Sequence, residues 1–522
     1  MTTLHKFAVC TALAALLLTG CRVGPKYHVP PAIAQAPPAS YKESPTEFPD
    51  MDGWKVAQPQ DAMLRGRWWE IYREPELDTL EEQLNIDNQN IRVFFENFMA
   101  ARTIVAQARS QLYPTLTAGP SYRRSRASAN LSNATGNATS VASGAGTGGA
   151  GNTTVTSTGR QSSIGALPLT ISWEPDLWGR IRSTIREDQY NAQLSAADLE
   201  NERLTEQAAL ATFFFELRGQ DALRQIYDET IAADQKSLAY TQTQYELGIG
   251  DRISVVEAQN TLQNAQAVAT NLGIARAQYE HAIAMLIGTN PSGFSVPVKP
   301  LLKIPPAIPV GMPSQLLERR PDIAASERRM ASANAQIGVV DAAFYPTLTL
   351  SATGGFESST FKHLFDIGSR YWSIGPAVSE TLYDAGLRRA TVNQYIAVYN
   401  GDVATYRETV LTAFQQVEDY LSQVRILSEQ IQQQELAQRS AQEFVDLETA
   451  RFQTGIDPYI NVVTAQTTLL SDRQTLASLH VQQITASVQL IEALGGGWDA
   501  TQLPTPAQVS KSLTKAETAI QK

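Results

Sequence analysis

The sequence is poor in the residue types with which enzymes build reactive or metal-binding sites. Among 522 residues it has only two cysteines and five histidines. The histidines are scattered, without the HExxH or paired spacing of a metal site, and no P-loop occurs. We therefore predict no catalytic residue, no metal ligand and no cofactor, and an enzyme is the class that the sequence favours least.

Two further absences limit the partners of the chain. The formal net charge is −10 and no cluster of lysine and arginine stands out, which argues against nucleic acid, since phosphate binding needs a concentrated basic surface. Beyond residue 20, no uninterrupted apolar run approaches the roughly 20 residues of a membrane-spanning helix. If the chain crosses a membrane, we expect it to do so as β-strands.

The N-terminus has the features of a secretory signal over residues 1–20. Lys6 precedes an apolar run from Ala8 to Leu18, and Leu18-Thr19-Gly20 leads into Cys21. This order resembles the lipobox of bacterial lipoproteins, which implies cleavage before Cys21, a diacylglycerol on its thiol and a third acyl chain on its amine, a durable anchor. Arg22 follows, not the Asp that holds enteric lipoproteins at the inner membrane, which implies the outer membrane. The alternative is an ordinary signal with a chance cysteine.

The rest of the chain is built twice. Two glycine turns, Gly248-Ile249-Gly250 and Gly455-Ile456-Asp457, each open a predicted helix and align without a gap. The same shift carries Gly288 onto Gly495. A long repeat that is present only twice indicates a duplicated half-molecule, because solenoids use shorter units repeated three or more times.

The predicted segments follow from this duplication. They are the signal peptide 1–20, a lipidated and extended linker 21–60, repeat 1 at 61–289, a proline-rich linker 290–313, repeat 2 at 314–498 and a loose polar tail 499–522. After an opening helical segment, each repeat has a predicted β-hairpin, at 113–173 and 346–380. A long helix and a return helix follow, at 180–247 and 252–287 in repeat 1 and at 387–454 and 459–494 in repeat 2.

The long helices carry a seven-residue apolar repeat. Each would span roughly 100 Å if continuous, and the repeat predicts left-handed coiled-coil packing. The positions are Val403, Val410, Val417, Val424 and Ile431 on the second long helix; Val463, Leu470, Ala477, Ile484 and Ile491 on the second return helix; and Ala258, Ala265, Leu272, Tyr279 and Leu286 on the first.

Four strands per chain cannot close a barrel, and an open sheet edge is not tolerated in hydrocarbon. Two copies would give eight strands with a filled interior, whereas three give twelve, wide enough for a lumen. We therefore predict a mainly α protein with a small β part: a long coiled-coil α-helical barrel, and four strands that contribute to a trimeric 12-stranded transmembrane β-barrel. The far end of the helical tube would carry six turns of two types.

Three runs resemble the TolC-like outer membrane efflux channels, specifically their lipoprotein branch. They are Cys21 to Tyr27; Leu316 to Ile323, with its Arg319-Arg320-Pro321-Asp322-Ile323, continuing to Phe344-Tyr345-Pro346; and Arg451 to Asp457 with Ala465-Gln466. The resemblance covers nearly the whole mature chain. It implies a homotrimer in the outer membrane that extends into the periplasm and docks onto a periplasmic adaptor (a membrane fusion protein) and an inner-membrane transporter, as the passive channel of a tripartite efflux system.

The resemblance also implies a periplasmic aperture just after the second glycine turn. In the family this position is ringed by carboxylates, but here Asn461 and Thr464 occupy it, so the usual Asp is not retained. Asp457 and Glu257 are the acidic residues nearby, and we expect them to make the constriction attract cations. The alternatives are that Asp457 is a simple turn residue and that Glu257 is an exposed helical charge.

The two glycine turns are the expected contacts with the adaptor, through Gly248, Ile249, Gly250, Gly455 and Ile456. Two other readings stay open. A type I secretion exit duct would use the same architecture, since the inner-membrane partner sets the selectivity. A lipid-anchored periplasmic coiled-coil scaffold would instead fold the strand segments into a soluble sheet without an outward apolar band.

Overall fold

The computed structural model describes residues 23–32, 41–42, 66–126, 161–301, 305–306, 308 and 316–511. The predicted signal peptide, Cys21 and residues 512–522 lie outside the described residues. The chain forms two compact units. The described parts of 1–24, 107–185 and 337–392 form the strand unit, and those of 25–106, 186–336 and 393–522 form the helix unit.

The helices reproduce the predicted duplication. The long helices are α3 (Arg180–Glu246) and α7 (Leu387–Gln453), and the return helices are α4 (Arg252–Leu286) and α8 (Tyr459–Ala493). Both long helices have 67 residues and both return helices have 35, and every bound lies within one residue of its predicted position. The shorter helices are α1 (Pro75–Asp87), α2 (Gln89–Ser110), α5 (Leu316–Arg319), α6 (Pro321–Asp341) and α9 (Pro506–Val509). In the described part of the chain, no helix is long and apolar enough to span a membrane.

The seven-residue repeat marks much of the buried seam. On α7, Val410, Val417, Val424 and Ile431 are all buried. On α8 the repeat holds at Ile484 and Ile491, but nearer the turn the buried residues are Val462 and Leu469, one position before the predicted ones. The prediction is wrong by one residue there. A straight α-helix drifts against a strict seven-residue repeat, so the buried stripe moves to a neighbouring position over a few turns.

The main core lies in the helix unit, around the middle of α3. Leu210, Phe214 and Phe215 are fully buried there, and they belong to one cluster with Trp68 and Trp69 of a short 3-10 helix (Trp68–Tyr72). Trp68 Nε1 donates to Gln207 Oε1 over 3.2 Å. Both tryptophans are therefore part of the main core.

The duplication recurs at the level of single contacts. Gly288 directly follows the C-cap of the return helix α4 and Gly495 directly follows that of α8, and both glycines have positive φ. A Cβ on Gly288 would collide with the Asp87 carbonyl, and one on Gly495 with the Arg319 carbonyl. Asp87 ends α1 and Arg319 ends α5, so each return helix closes against the opening helical segment of its own repeat in the same way.

The strand unit holds one antiparallel sheet. Its strands are β1 (Thr115–Ala118), β2 (Ser121–Arg126), β3 (Gln161–Trp173), β4 (Thr347–Ser358) and β5 (Arg370–Ser379). The order is β1-β3-β4-β5, and β2 also pairs with β3. Because β1 and β2 continue each other along one side of β3, with Gly119-Pro120 as the break, the described part of the chain gives the sheet four strand positions, as predicted. Proline cannot donate to the ladder, which explains the interruption.

The predicted loose tail is wrong for residues 499–511. A 3-10 turn (Ala500–Gln502) leads into α9, whose N-terminus has a capping box between Thr505 and Gln508. Val509 is buried in a cluster with Val105 of α2 and Ala192 of α3. Gln193 Nε2 donates to the Pro504 carbonyl over 2.7 Å. These contacts hold the segment on α2 and α3, although its composition is polar.

Candidate functional site

The first glycine turn joins α3 to α4. Gly248 has φ +73°, a conformation that favours glycine. The backbone N–H groups of Ile249 and Gly250 both donate to the Gln244 carbonyl over 3.0 Å, which closes the end of α3. Asp251 then caps α4, since its Oδ1 accepts from Ser254 N over 2.7 Å. The acidic side chain of this turn is thus used to start a helix.

The second glycine turn joins α7 to α8 with the same geometry. Gly455 has φ +74°, and Ile456 N donates to the Arg451 carbonyl over 2.9 Å. Pro458 is the N-cap of α8, where the other turn has Asp251. We refer to residues 246–252 and 453–459 together as the hairpin end. The two turns of the hairpin end have similar backbone conformations but different side chains.

Large apolar side chains project into solvent at the hairpin end. Ile249 is 74% exposed and Ile456 is 65% exposed. Leu247 beside the first turn is also exposed, as are Ile253 on α4 and Ile460 on α8. Exposed large apolar side chains that are grouped at one end of a protein are typical of a binding site for another protein. The expected role of the turns in contacting a partner stays a prediction.

The first helical hairpin (α3 and α4) and the second (α7 and α8) are held together by an aromatic contact that the sequence analysis did not predict. Tyr459, the first residue of α8, is buried with Ala258 of α4 and Val462, and Leu238 of α3 packs against the same cluster. Its ring lies 5.2 Å from that of Phe452, which in turn meets Tyr240 at 5.8 Å. An aromatic residue directly after a glycine turn was the available signal.

The predicted aperture residues differ in what they can contribute. Asp457 is paired with the Arg451 guanidinium, and this hydrogen bond lowers the pKa of the Asp457 carboxyl. Thr464 is exposed, with its hydroxyl donating to the Ile460 carbonyl, and Asn461 and Glu257 are half-buried. The charge of Asp457 is therefore compensated within the chain, and Glu257 is the acidic member of the set without an ion pair among the described residues.

Over β1, β4, β5 and the part of β3 that pairs with β1 and β4, the sheet has one apolar and one polar face. Directly paired residues of neighbouring antiparallel strands lie on the same face, and the register pairs Leu116 with Ile171, Ile171 with Ala352, and Ala352 with Ile374. The same face also carries Leu167, Leu169, Trp173, Leu350, Phe356, Trp372 and Val378. The opposite face carries Thr117, Thr170, Thr353 and Ser373. Leu169, Ile171, Trp372, Ile374 and Val378 are exposed, so the residues that the structure describes leave the apolar face uncovered.

Comparison with known proteins identifies the family of this chain. The sequence matches the family described as outer membrane efflux protein over residues 81–289 and 312–496. The chain belongs to the outer membrane efflux protein family. Both matched segments contain a long helix and its return helix, so the family covers the two repeats.

Named relatives of this outer membrane efflux protein are similar over nearly their whole length. The probable efflux pump outer membrane protein TtgC of Pseudomonas putida is 30% identical over 499 residues, which cover 94% of this chain and 96% of the relative. Outer membrane protein OprJ of Pseudomonas aeruginosa is 29% identical over 506 residues, with coverages of 94% and 96%. TtgC is named as a component of an efflux pump, and OprJ as an outer membrane protein. The predicted efflux function in the outer membrane is thereby confirmed.

Solved structures of outer membrane channels share the fold of this outer membrane efflux protein. The outer-membrane channel OprN superposes with a TM-score of 0.77 at 25% identity, over 92% of this chain and 100% of that one. The open state of the MtrE channel of Neisseria gonorrhoeae gives a TM-score of 0.74 at 21% identity, with coverages of 92% and 99%, and supports the fold alone. The predicted mainly α fold with a small β part is confirmed.

Proposed function

We propose that this chain is the outer membrane channel of a tripartite efflux system, a passive trimeric conduit from a periplasmic adaptor and an inner-membrane transporter to the exterior. The apolar face of the four-position sheet carries this proposal. A sheet that is polar on one face and apolar on the other, with neither face covered, fits a barrel wall between lipid and a water-filled lumen.

The open edges of the sheet support a trimer. Among the described strands of one chain, β1 and β2 form one edge and β5 forms the other. An unpaired edge leaves backbone groups unsatisfied in lipid, so the β5 edge of one copy would pair with the β1 and β2 edge of the next. Three copies supply twelve strand positions, which is enough for an open lumen.

A lipid anchor on Cys21 is supported by the residues that follow it. Val23 N donates to the Trp178 carbonyl over 3.2 Å. Trp178 stacks on Tyr345 at 4.9 Å and donates through Nε1 to the Pro346 carbonyl over 2.7 Å, just before β4 begins. These contacts place Val23 beside this end of the sheet, which suits an acyl anchor that enters the same bilayer as the apolar face. Replacing Cys21 with Ser should abolish metabolic labelling with palmitate.

The hairpin end would be the partner-binding end. Its exposed apolar side chains suit contact with the adaptor through Gly248, Ile249, Gly250, Gly455 and Ile456. The aperture would be lined by Asp457, Asn461, Thr464 and Glu257, with Glu257 providing the main attraction for cations because Asp457 is paired with Arg451.

Two measurements on the purified full-length protein test the proposal. The mass of the protein in detergent should be that of three chains, and the protein should form ion-conducting pores in planar lipid bilayers. A monomer that needs no detergent once Cys21 is replaced would instead support a lipid-anchored scaffold, and would end the channel interpretation.

A further inference from the structure

Asp234 of α3 is a buried carboxylate near the hairpin end. The residue is 2% exposed, and its Oδ2 atom is buried without a hydrogen-bond partner among the described residues. Asp234 lies one helical turn before Leu238, on the α3 face that packs against Ala258 of α4 and Tyr459 of α8. The carboxylate therefore lies at the contact between the first hairpin (α3 and α4) and the second (α7 and α8).

The titratable groups that face this carboxylate do not compensate its charge. Tyr459 approaches it from α8, and besides burial the charges of Asp234 and of Glu257 on α4 raise the pKa of the Tyr459 phenol. Arg451 of α7 is engaged with Asp457. Burial raises the pKa of Asp234 to about 6, and no cation among the described residues lowers it.

The two protonation states of Asp234 have different consequences for the contact. A neutral carboxyl can be buried at moderate cost, whereas an unpaired carboxylate away from water is strongly disfavoured. Since the pKa is raised in the packed state, the packing is fully stable below the ordinary pKa of 3.8 and loses stability as the pH rises through about 6.

We propose that Asp234 is a proton-sensitive lock between the two hairpins: its protonated carboxyl keeps Tyr459 packed against the first hairpin, and its ionisation loosens that contact. In the channel proposed above, the lock makes opening of the periplasmic end depend on the pH of the periplasm. This consequence rests on the proposed function, whereas the lock itself concerns contacts within one chain.

Hydrogen exchange of the full-length protein in detergent tests the lock directly. The amides of residues 452–462 and 236–258 would be followed at pH 5 and pH 7.5, with rates corrected for the pH dependence of chemical exchange. A carboxyl that titrates near 6 when packed and near 3.8 when released favours opening about tenfold more at pH 7.5 than at pH 5. We therefore expect the corrected exchange rates of these amides in the wild type to be about tenfold higher at pH 7.5 than at pH 5.

Variants distinguish the effect of the Asp234 carboxylate on exchange from the effects of other carboxylates. Asp234→Asn keeps the shape and removes the charge, so exchange should be slow at both pH values. Asp446→Asn changes an exposed carboxylate of α7 that accepts from Gln442 Nε2, and should keep the tenfold increase. Tyr459→Phe should also keep it, because the carboxylate is still buried, whereas Tyr459→Ala should give fast exchange at both pH values.

The lock is overturned by a wild type whose exchange does not change between pH 5 and 7.5, or by an Asp234→Asn variant that keeps the wild-type increase. Should Asp234→Asn fail to assemble, the comparison of Tyr459→Phe with Tyr459→Ala still decides, since equal exchange profiles for the two would overturn the lock as well. Planar-bilayer recordings at the same pH values report on the proposed function separately. Absence of conductance at both pH values contradicts the channel and leaves the exchange result standing.

Discussion

At the scale of single residues, Gly288 and Gly495 are tightly constrained positions just beyond the two return helices. Both have positive φ, and a Cβ at either would meet a backbone carbonyl that cannot move aside. We expect Gly495→Ala to lower the free energy of unfolding by about 3 kcal/mol or more, since backbone strain and a steric clash add. Guanidinium chloride unfolding in detergent, followed by circular dichroism, measures this.

Gly401 provides the matched control for that substitution. It lies within α7, and a Cβ there would have no atom within 4 Å. Gly401→Ala should raise the free energy of unfolding by up to about 1 kcal/mol, because alanine favours the helix. Equal destabilisation by Gly401→Ala and Gly495→Ala would show that the carbonyl contact is not the cause.

The pair of Arg451 and Asp457 sets the charge of the second turn. The sequence alone suggested Asp457 as a source of cation attraction, but the structure compensates it with a guanidinium from the preceding helical turn. Arg451→Gln should therefore increase the preference for cations, as it leaves the Asp457 carboxylate unpaired. The reversal potential across a planar bilayer in a KCl gradient measures this preference.

Arg439 is a suitable comparison for Arg451. It is exposed on the same helix, and its Nη2 lies 3.6 Å from Glu435 Oε2, farther than a hydrogen bond. Arg439→Gln removes the same charge more than two turns from the hairpin end and should leave the reversal potential nearly unchanged. An identical shift for both variants would assign the effect to net charge and not to the released Asp457.

At the scale of elements, the C-terminal segment offers a test of how polar residues are held. Val509 is its single buried apolar anchor among residues 500–511, packed on Val105 and Ala192. Val509→Ala should cost about 2 kcal/mol of local stability and raise trypsin cleavage after Lys511, whose N–H donates to the Gln508 carbonyl, roughly thirtyfold when opening precedes cleavage. Ala507→Ser, at an exposed position of the same helix, should leave the cleavage rate as it is.

The long elements could be predicted from the sequence because their signals are local and repeated. Glycine turns bound α3, α4, α7 and α8, and within those helices the apolar spacing continues for many turns, so the bounds fall within one residue. The C-terminal segment could not be predicted in this way. Its anchoring depends on Val509 meeting side chains that are hundreds of residues away in sequence, and no periodicity within twelve residues records such a contact.

The candidate functional site likewise has one part that local sequence signals predict and one part that depends on contacts distant in sequence. The turn residues Gly248 and Gly455 follow from local backbone needs, and the structure gives both a positive φ. Tyr459 and Asp234 become important only when two hairpins pack together. A tyrosine and an aspartate on long amphipathic helices look ordinary in sequence, so the contact between hairpins had to be seen.

At the scale of the whole molecule, the two faces of β5 predict how the protein meets the membrane. Ile374 pairs with Ala352 on the apolar face and is 73% exposed, whereas its neighbour Ser373 pairs with Thr353 on the polar face. Ile374→Arg would place a charge against lipid, at a cost of roughly 2–4 kcal/mol near the bilayer midplane. We expect a strong loss of protein from the outer membrane fraction.

Ser373→Arg adds the same side chain one residue away on the same strand and therefore separates burial in lipid from general damage to the strand. In a trimeric barrel this arginine projects into the water-filled lumen, so the amount of inserted trimer should match the wild type and only the conductance should change. A soluble sheet makes the opposite prediction, because neither face then meets hydrocarbon and both arginines are tolerated alike. Membrane fractionation with immunoblotting of the two variants thus decides between a wall in the bilayer and a sheet in water, whatever the substrate that passes through.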